Sequence, residues 1–292
     1  MEAGREMNGI VIIDKPQEWT SQDVTARLRR VFNTRRIGHG GTLDPMATGV
    51  LPVFVGRATR GVEFFEHAEK TYETVLRLGL TTDTEDVWGE TLEEREVSLN
   101  RETLEETLDK FRGEIFQVPP MYSALKVNGQ KLCDLARKGK EVERKPRPIT
   151  IHELTLLEVG ENTLRLRVRC SKGTYIRTLC KDIGEALGCG GCMQQLRRVT
   201  AGEYTIAEAV PLQELLDAQD PEKYLRGVDT MFRNHPEVKL TANQEKRCRC
   251  GNAFSVSIPD GTYRAYSQTG EFLMLAKVEG GVMGTVKSFF EV

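Results

Sequence analysis

The chain has 292 residues with a net charge of −2, and 39% of the residues are hydrophobic, which is typical of a globular protein with one large domain and room for a small appendage. It contains no run of about 18 apolar residues, and residues 1–7 lack the apolar stretch of a secretory signal, so we expect a cytoplasmic protein without a membrane-spanning helix. The cysteines number seven, an odd count that does not suggest a disulfide framework.

The first part of the chain is predicted to form two strands, a helix and a glycine-rich loop. Residues 9–13 are a short run of apolar, mostly β-branched residues that predicts a buried strand. Thr20 and Ser21 offer an N-cap to an amphipathic helix that continues to about Val31. Residues 38–45 form the glycine-rich loop, and residues 51–55 predict a second buried strand.

The middle of the chain alternates strands and helices around a strongly acidic segment. Residues 83–109 hold eleven acidic residues and two arginines, so this window carries a charge of −9 and the rest of the chain about +7. That basic excess outside the window can bind phosphates. Further predicted elements are a strand at 72–78, a helix at 103–111, a loop or edge segment at 117–123, a hairpin at 149–159 and 163–170, and a helix at 178–187.

The pattern changes near residue 238. Four short predicted strands follow, separated by Pro-Asp-Gly, Thr-Gly and Gly-Gly turns, at 254–258, 263–267, 272–277 and 284–290. We therefore predict two domains: a mixed α/β (α+β) domain at residues 1–235 and a compact β domain at residues 236–292.

The glycine-rich loop carries the first candidate for chemistry, Asp44. Gly40 and Gly41 allow the backbone to approach a ligand closely, and Pro45 fixes the chain just after the carboxylate. A carboxylate held in this way can act as a nucleophile or a base. The alternative is an ordinary turn aspartate that hydrogen-bonds its own backbone.

The second group of candidates lies in residues 170–177, which lead from a strand through a glycine turn into a helix. Lys172, Tyr175 and Arg177 are placed near the start of the helix, where N–H groups and cations favour a phosphate or a carboxylate. Arg177 is suited to keep an active-site carboxylate ionised and aimed, because a guanidinium can bind it through two nitrogens. An ordinary surface ion pair is the competing interpretation.

Tyr72, which follows Lys70 at the start of a strand, is the third candidate. Its ring can stack on a nucleic-acid base, and its hydroxyl can take part in proton transfer. A core tyrosine with a satisfied hydroxyl is the alternative.

Metal and cofactor sites are not predicted. Cys189 and Cys192 form one close pair, and Cys248 and Cys250 another, but neither pair has firm zinc-finger spacing and they fall in different predicted domains. We therefore expect free thiols. The sequence also has no Walker A pattern, and no cofactor is expected.

Several sequence blocks resemble the TruB family of pseudouridine synthases. Residues 38–49, Gly-His-Gly-Gly-Thr-Leu-Asp-Pro-Met-Ala-Thr-Gly, are similar to the catalytic-aspartate motif of that family. The similarity continues in family order over residues 8–205, through segments 8–16, 70–73, 82–84, 119–126, 170–177, 187–190 and 196–198. Cys133 and Cys192 depart from the tyrosine and histidine that are common in the family, which puts fine RNA contacts in doubt rather than activity.

The resemblance implies a fold, a reaction and a set of residue roles. The fold is a pseudouridine synthase catalytic domain around a largely antiparallel mixed sheet, followed by a small PUA-like β-barrel. The reaction is the isomerisation of uridine 55 in the T-arm of tRNA by base flipping, performed by a monomer without a protein partner. The implied site residues are Asp44 as the essential carboxylate, Arg177 as its ion-pair partner, Tyr72 as the stacking residue and base, and His39, Tyr175 and Leu196 as contacts to the target nucleotide.

The same resemblance makes basic residues outside the acidic window candidate contacts to the RNA backbone. They are Arg27, Arg29, Arg30, Arg35, Arg36, Lys138, Lys140, Arg144, Lys145, Arg197 and Arg198 in the first domain, with Lys246, Arg247 and Arg249 in the second.

Two other functions remain open from the sequence. One is a non-catalytic RNA-binding or RNA-folding protein on the same scaffold, although the presence of Asp44, Tyr72 and Arg177 argues against it. The other is a synthase in which partner proteins and a guide RNA choose the uridine. Incubation of the protein alone with an unmodified tRNA transcript separates these functions.

Overall fold

The protein is described by a computed structural model that covers residues 7–290. The prediction that the amino terminus lacks a secretory signal falls almost entirely on residues 1–6, outside the described residues. None of the helices within 7–290 is long and apolar enough to cross a membrane.

Fourteen strands precede residue 212. They are β1 Gly9–Lys15, β2 Ile37–His39, β3 Thr48–Val55, β4 Lys70–Leu78, β5 Leu80–Thr82, β6 Thr91–Glu94, β7 Gly113–Gln117, β8 Lys126–Val127, β9 Gln130–Lys131, β10 Arg147–Val159, β11 Thr163–Cys170, β12 Gly191–Ala201, β13 Tyr204–Thr205 and β14 Val210–Pro211. The last five are β15 Glu237–Lys239, β16 Phe254–Ser255, β17 Gly261–Tyr266, β18 Phe272–Glu279 and β19 Val282–Ser288.

Seven α-helices connect the strands. They are α1 Ser21–Val31, α2 Val62–Glu66, α3 Arg101–Asp109, α4 Leu132–Ala136, α5 Ile176–Ala186, α6 Leu212–Leu216 and α7 Ala242–Arg249. Short 3-10 helices occur at Gly56–Gly61, Ile206–Glu208, Pro221–Tyr224 and Val228–Phe232.

Ten strands form one mixed sheet, with the order β14-β1-β3-β12-β4-β11-β10-β7, while β13 pairs with β12 and β2 with β3. Only β1 with β14 and β12 with β3 run parallel, and the other pairs in this sheet are antiparallel. The predicted α/β class with a largely antiparallel mixed sheet is therefore confirmed.

Helices α1 and α5 show how the sequence builds the layer above this sheet. The first helix begins at a capping box in which Thr20 and Asp23 satisfy free N–H groups, and it buries Val24 and Leu28 in the main core. Helix α5 packs on β12 and β4. Its tight approach to the start of β12 requires Gly184, because a Cβ there would lie 2.4 Å from the carbonyl carbon of Gly190.

Strand β12 is the main element that the sequence did not predict. It lies between β3 and β4 at the centre of the sheet, yet residues 191–201 contain two glutamines and two arginines in place of a continuous apolar run. The pattern fails because the buried residue Arg198 occupies a position where an alternating strand would normally carry an apolar side chain.

The C-terminal part is a five-stranded sheet with the order β15-β17-β18-β19-β16. It has its own core, which includes Leu240, Cys248, Leu273 and Met283. Its two edge strands, β15 and β16, do not pair with each other within the described residues. The sheet is therefore a half-barrel and not a closed barrel. The predicted strands are confirmed, while β15 and α7 were not predicted.

The two parts meet through aromatic rings. Phe232, from the segment that precedes β15, packs on Phe272 of β18 and on Phe289, with ring centroids 6.2 and 6.0 Å apart. Phe272 and Phe289 stack at 5.4 Å. These rings belong to the cluster that also contains Ile10 and Phe54 of the large sheet.

Candidate active site

The loop that carries Asp44 is held on both sides of this residue. Before it, the Leu43 N–H donates to Ser21 Oγ at 2.8 Å, and that hydroxyl lies 3.2 Å from the Leu43 carbonyl. After it, the Pro45 carbonyl accepts from the Glu18 N–H at 2.8 Å and from Lys15 Nζ at 3.4 Å. Asp44 is thus fixed by the start of α1 and by the segment that follows β1.

The two glycines of this loop have different tasks. Gly41 lines the cleft described below and has a φ of +96°, a conformation that side chains other than glycine rarely adopt. Gly40 instead packs against the core, since a Cβ there would lie 2.4 Å from the Phe65 ring. Only Gly41 therefore has the ligand-facing position predicted for both.

Arg177 contacts Asp44 and is almost completely buried. Its Nε lies 2.9 Å from Asp44 Oδ2, and its side chain is 5% exposed against 39% for Asp44. Nη1 donates to the Thr84 carbonyl at 3.0 Å and Nη2 to the Tyr122 carbonyl at 2.8 Å. Because each guanidinium nitrogen has its own acceptor, Arg177 cannot rotate away, and it presents a fixed positive charge to the carboxylate.

A second carboxylate, Asp86, lies on the other side of Arg177, and the sequence reasoning did not single it out. Its Oδ2 is 3.9 Å from Arg177 Nη1, and its Oδ1 accepts from the Thr84 hydroxyl and the Trp88 N–H. Burial raises the pKa of Asp86, against the hydrogen bond from Thr84 and the charge of Arg177. The available signal was that Asp86 lies two residues after the Thr-Asp-Thr segment at residues 82–84.

Tyr72 and Leu196 face the cleft from the neighbouring strands β4 and β12. Burial raises the pKa of the Tyr72 hydroxyl, and the positive charge of the Arg198 guanidinium opposes this rise. Leu196 is 8% exposed and lies opposite Thr74 of β4. Together they offer an aromatic face and an apolar face to a planar ligand.

Three buried cations lie beneath this surface. Lys15 Nζ donates to the carbonyls of Pro16 and Trp19, and Lys70 Nζ donates to the Ala68 carbonyl at 2.6 Å. Burial lowers the pKa of Lys15 and of Lys70 to about 8 in each case. The third cation is Arg198, and its charge contributes to both shifts.

Tyr175 and His39 are placed differently relative to the cleft. Tyr175 lines it at the N-cap of α5, where its N–H donates to Gln117 Oε1 at 2.8 Å and its carbonyl accepts from Gln117 Nε2. His39 ends β2, its Nε2 lies 3.4 Å from Gln22 Nε2, and it is not among the residues that line the cleft. Burial, together with the charge of Arg198, lowers the pKa of His39.

These groups open onto one cleft of about 600 Å³, a size typical of pockets that bind small molecules or single groups of a larger ligand. Five of the six predicted site residues, Asp44, Tyr72, Tyr175, Arg177 and Leu196, line it. Lys70, Asp86 and Arg198 line it as well. Polar groups therefore converge on a pocket that also has aromatic and apolar walls.

The predicted contacts to the RNA backbone are corrected at Arg198. This side chain is 1% exposed, so it is not available as one more surface contact, whereas Arg27, Arg29 and Arg30 on α1 are exposed. Arg197 points to the opposite face of the sheet and binds Asp14 at 2.8 Å.

Within residues 7–290, no disulfide bond joins the cysteines, and no group of three or more potential metal ligands occurs. Burial raises the pKa of the Cys170 and Cys192 thiols to about 11 and that of Cys180 to about 12. These three thiols are consequently uncharged at neutral pH.

Comparison with known proteins identifies the family of the chain. The family model described as TruB family pseudouridylate synthase, N-terminal domain, matches residues 29–176, and that of the tRNA pseudouridylate synthase B C-terminal domain matches residues 177–228. The chain belongs to the TruB family. Among curated relatives, tRNA pseudouridine synthase B of Clostridium kluyveri is 43% identical, covering 91% of this chain and 94% of its own. The enzyme of that name in Pseudomonas putida is 42% identical, covering 94% and 92%.

Solved structures support the TruB-family fold. The chain resembles one in a Cbf5-Nop10-Gar1 complex, with a TM-score of 0.74 and 25% identity, over 97% of this chain and 85% of the other. A chain of an H/ACA RNP bound to a substrate RNA containing 2′-deoxyuridine gives a TM-score of 0.73 at 23% identity, with the same two coverages. The likeness extends over both the large sheet and the C-terminal half-barrel.

Proposed function

We propose that this TruB-family protein is a tRNA pseudouridine synthase that isomerises uridine 55 in the T-arm. The observation that carries the proposal is the Asp44 carboxylate, held 2.9 Å from a buried arginine at the wall of the cleft. Curated relatives at about 43% identity over nearly the whole chain are named tRNA pseudouridine synthase B, which supports the substrate class.

The proposed reaction balances without a redox partner. The glycosidic bond from N1 of uracil to C1′ of the ribose breaks, a bond from C5 to C1′ forms, C5 loses a proton and N1 gains one. Asp44 is the essential carboxylate, which acts as a nucleophile or stabilises the cationic charge that develops as the bond breaks. Since atoms and electrons are conserved, the protein has only to bind, orient and move protons.

Arg177 keeps Asp44 aimed at the reacting atoms. Its two remaining nitrogens are held by the carbonyls of Thr84 and Tyr122, so the guanidinium is already oriented before substrate binds. A preorganised charge of this kind needs no rearrangement during the reaction, which is the main source of electrostatic catalysis.

Tyr72 is proposed as the stacking surface for the flipped uracil and as the base that takes the C5 proton. A uridine in a folded tRNA arm must leave its base stack to reach a cleft of this kind, and an aromatic face offsets part of the lost stacking. His39, Tyr175 and Leu196 are proposed contacts to the target nucleotide. Of these, Tyr175 and Leu196 already line the cleft.

We further propose that the enzyme acts as a monomer, without a protein partner, in the cytoplasm, with residues 1–235 as the catalytic domain and 236–292 as a PUA-like RNA-binding domain. The separate core of the half-barrel supports that division. Exposed Lys246 and Arg247 on α7 would contribute phosphate contacts. Changing both to alanine should weaken tRNA binding while leaving the single-turnover rate at saturating enzyme unchanged.

The test is the reaction of the purified protein alone with an unmodified tRNA transcript. Pseudouridine should form at position 55, and a transcript with cytidine at that position should give none. Product at other uridines would contradict the proposed site. Product that requires added proteins and a guide RNA would favour the guide-dependent alternative, and tRNA binding without any product would favour a non-catalytic RNA-binding protein.

A further inference from the structure

Arg198 is a fully buried arginine whose contacts join three elements of the active site. Its Nε donates to the Val50 carbonyl of β3 at 2.7 Å, and Nη2 donates to the Gly41 carbonyl of the catalytic loop at 3.2 Å. On β12 it lies directly opposite Tyr72 of β4 in the antiparallel register. The guanidinium thus joins β3 to the loop that carries Asp44, and the Arg198 backbone lies beside Tyr72.

Among the described residues, the charge of Arg198 has no direct counter-ion. Within residues 7–290, no carboxylate lies within 4.0 Å of its guanidinium, although the side chain is only 1% exposed. Burying a cation without an anion is costly, and an apolar side chain of similar volume would usually fill such a place at lower cost. A purely structural role therefore explains the position of Arg198 less well than a role that uses its charge.

The backbone geometry of β12 places the Arg198 side chain on the same face of the sheet as Tyr72. The register between β12 and β4 shifts just after Arg198, between Arg198 and Thr200, and such irregularities redirect side chains beside active sites. Because cross-strand partners lie on the same face of the sheet, both side chains enter the same cleft.

The other titratable groups around the Tyr72 hydroxyl do not stabilise a phenolate. Cys170 faces it from β11, and burial raises the pKa of that thiol to about 11, so the thiol is neutral. Asp44 faces it from the catalytic loop, and a negative charge there disfavours a second anion. Of Cys170, Asp44 and Arg198, the named groups within residues 7–290, Arg198 is the one that favours the deprotonated form.

We propose that Arg198 is the positioning residue that makes Tyr72 an effective base, because its fixed positive charge stabilises the phenolate. The phenolate takes the proton from C5 of the uracil and becomes the phenol, which returns that proton to solvent before the next turnover. This role rests on the proposed synthase function. It also explains why a cation is kept below the cleft without a counter-ion.

The direct test is the pKa of the Tyr72 phenol, measured without substrate. A protein with 3-fluorotyrosine at position 72 alone is titrated by ¹⁹F NMR, in the wild-type background and with Arg198→Gln or Arg198→Lys. Glutamine keeps donors for the two carbonyls but removes the charge, so the phenol pKa should rise by at least about one unit, the scale of a lost neighbouring charge. Lysine keeps the charge, and the rise should be less than half as large.

The matched control is Arg167→Gln. Arg167 lies on β11, next to β4, but binds Glu73 on the opposite face of the sheet, so its loss should move the phenol pKa by less than about 0.3 unit because water screens that charge. An unchanged pKa in Arg198→Gln, or equal rises in the glutamine and lysine variants, would overturn the proposal. If only the lysine variant folds, a rise of more than about one unit in its phenol pKa would also overturn the proposal.

A kinetic readout then separates this role from the reaction itself. At pH values below the phenol pKa, the single-turnover rate should rise with pH, and in Arg198→Gln that rise should move to higher pH by the same amount as the NMR titration. A shift in the titration with no shift in the rate profile would overturn the link to catalysis. An inactive wild-type protein would instead refute the proposed function and leave the titration result standing.

Discussion

Arginines on the two faces of the large sheet, around strand β4, bind their partners in opposite ways. On the cleft face, Arg177 and Arg198 are 5% and 1% exposed, and most of their donors bind main-chain carbonyls. On the outer face, Arg165 and Arg167 are 50% and 46% exposed and bind one carboxylate, Glu73, at 2.8 and 2.6 Å. The outer pairs lower the pKa of Glu73 through hydrogen bonds from Arg167 and Arg165.

The difference in partners and exposure decides whether the charge of an arginine can act on a reacting group. Main-chain carbonyls orient a guanidinium without neutralising it, so its charge remains available to a reacting group. A carboxylate partner in water cancels the charge and contributes little to stability. Substitutions on the cleft face should therefore affect chemistry strongly, and substitutions on the outer face should have small effects.

The largest effect is expected at Asp44. Asp44→Asn keeps the size of the side chain but removes the charge, and an amide is a poor nucleophile that cannot stabilise a cationic sugar. Turnover should fall below detection, measured as tritium release from C5 of a T-arm stem-loop, while filter binding shows RNA affinity within about threefold. Tritium release near the normal rate would falsify the assignment of Asp44 as the catalytic carboxylate.

The second largest effect is expected for Arg177→Met. It leaves Asp44 and Asp86 without their buried cation and two carbonyls without a donor, which should cost about 3 kcal/mol in the free energy of unfolding. The turnover of the protein that remains folded should drop at least about 100-fold. Urea unfolding and single-turnover assays measure the two effects. Equal turnover in Arg177→Met and wild type would show that the ion pair is only structural.

Tyr72→Phe should slow turnover by about 100-fold, the scale of general-base assistance. The ring and its stacking surface remain, so binding of the RNA should be retained. The readout is the single-turnover rate beside the dissociation constant of the same stem-loop. Wild-type turnover in this variant would reduce Tyr72 to a stacking residue.

Lys70, at the cleft-face end of β4, should make stability depend on pH. Its pKa is lowered to about 8 from 10.5 by burial, so the unfolded chain binds more protons between these values, and this residue makes the protein more stable as pH rises from 8 to 10.5. Relative to Lys70→Met, the wild type should gain about 2 kcal/mol between pH 8 and 10, measured by urea unfolding. A parallel pH dependence of the two proteins would contradict this.

The smallest effect is expected on the outer face. Glu73→Gln removes the carboxylate shared by Arg165 and Arg167, and exposed pairs of this kind contribute less than about 1 kcal/mol. Unfolding free energy should change by that amount or less, the difference should shrink further in high salt, and turnover should stay within about twofold. A loss of activity comparable to that of Tyr72→Phe would remove the distinction between the faces.

The sequence predicted those elements whose apolar pattern follows their geometry. The helix capped by Thr20 and the hairpin of β10 and β11 have the expected periods, and the structure confirms both. The motif resemblance also identified Asp44 and Arg177, which the structure brings together. These features depend on local sequence alone or on blocks long enough to be specific.

The features that the sequence did not predict depend on contacts between distant segments. Strand β12 carries the buried Arg198 where an alternating pattern would normally place an apolar residue. Asp86 becomes part of the site only when its segment meets Arg177 of α5. Helix α7 buries little beyond Cys248, so its apolar stripe is too narrow to detect.

The aromatic contact between the two parts has a consequence for how the enzyme can be dissected or redesigned. Phe272 and Phe289 of the C-terminal part complete a cluster whose other members include Phe232 and Phe54. Cutting the chain near residue 236 would expose that cluster to water and leave an apolar patch on the catalytic sheet that promotes aggregation. In chimeras that exchange the C-terminal part among relatives, we therefore expect the protein to remain soluble only if the rings of the catalytic part and the rings of the C-terminal part come from the same relative.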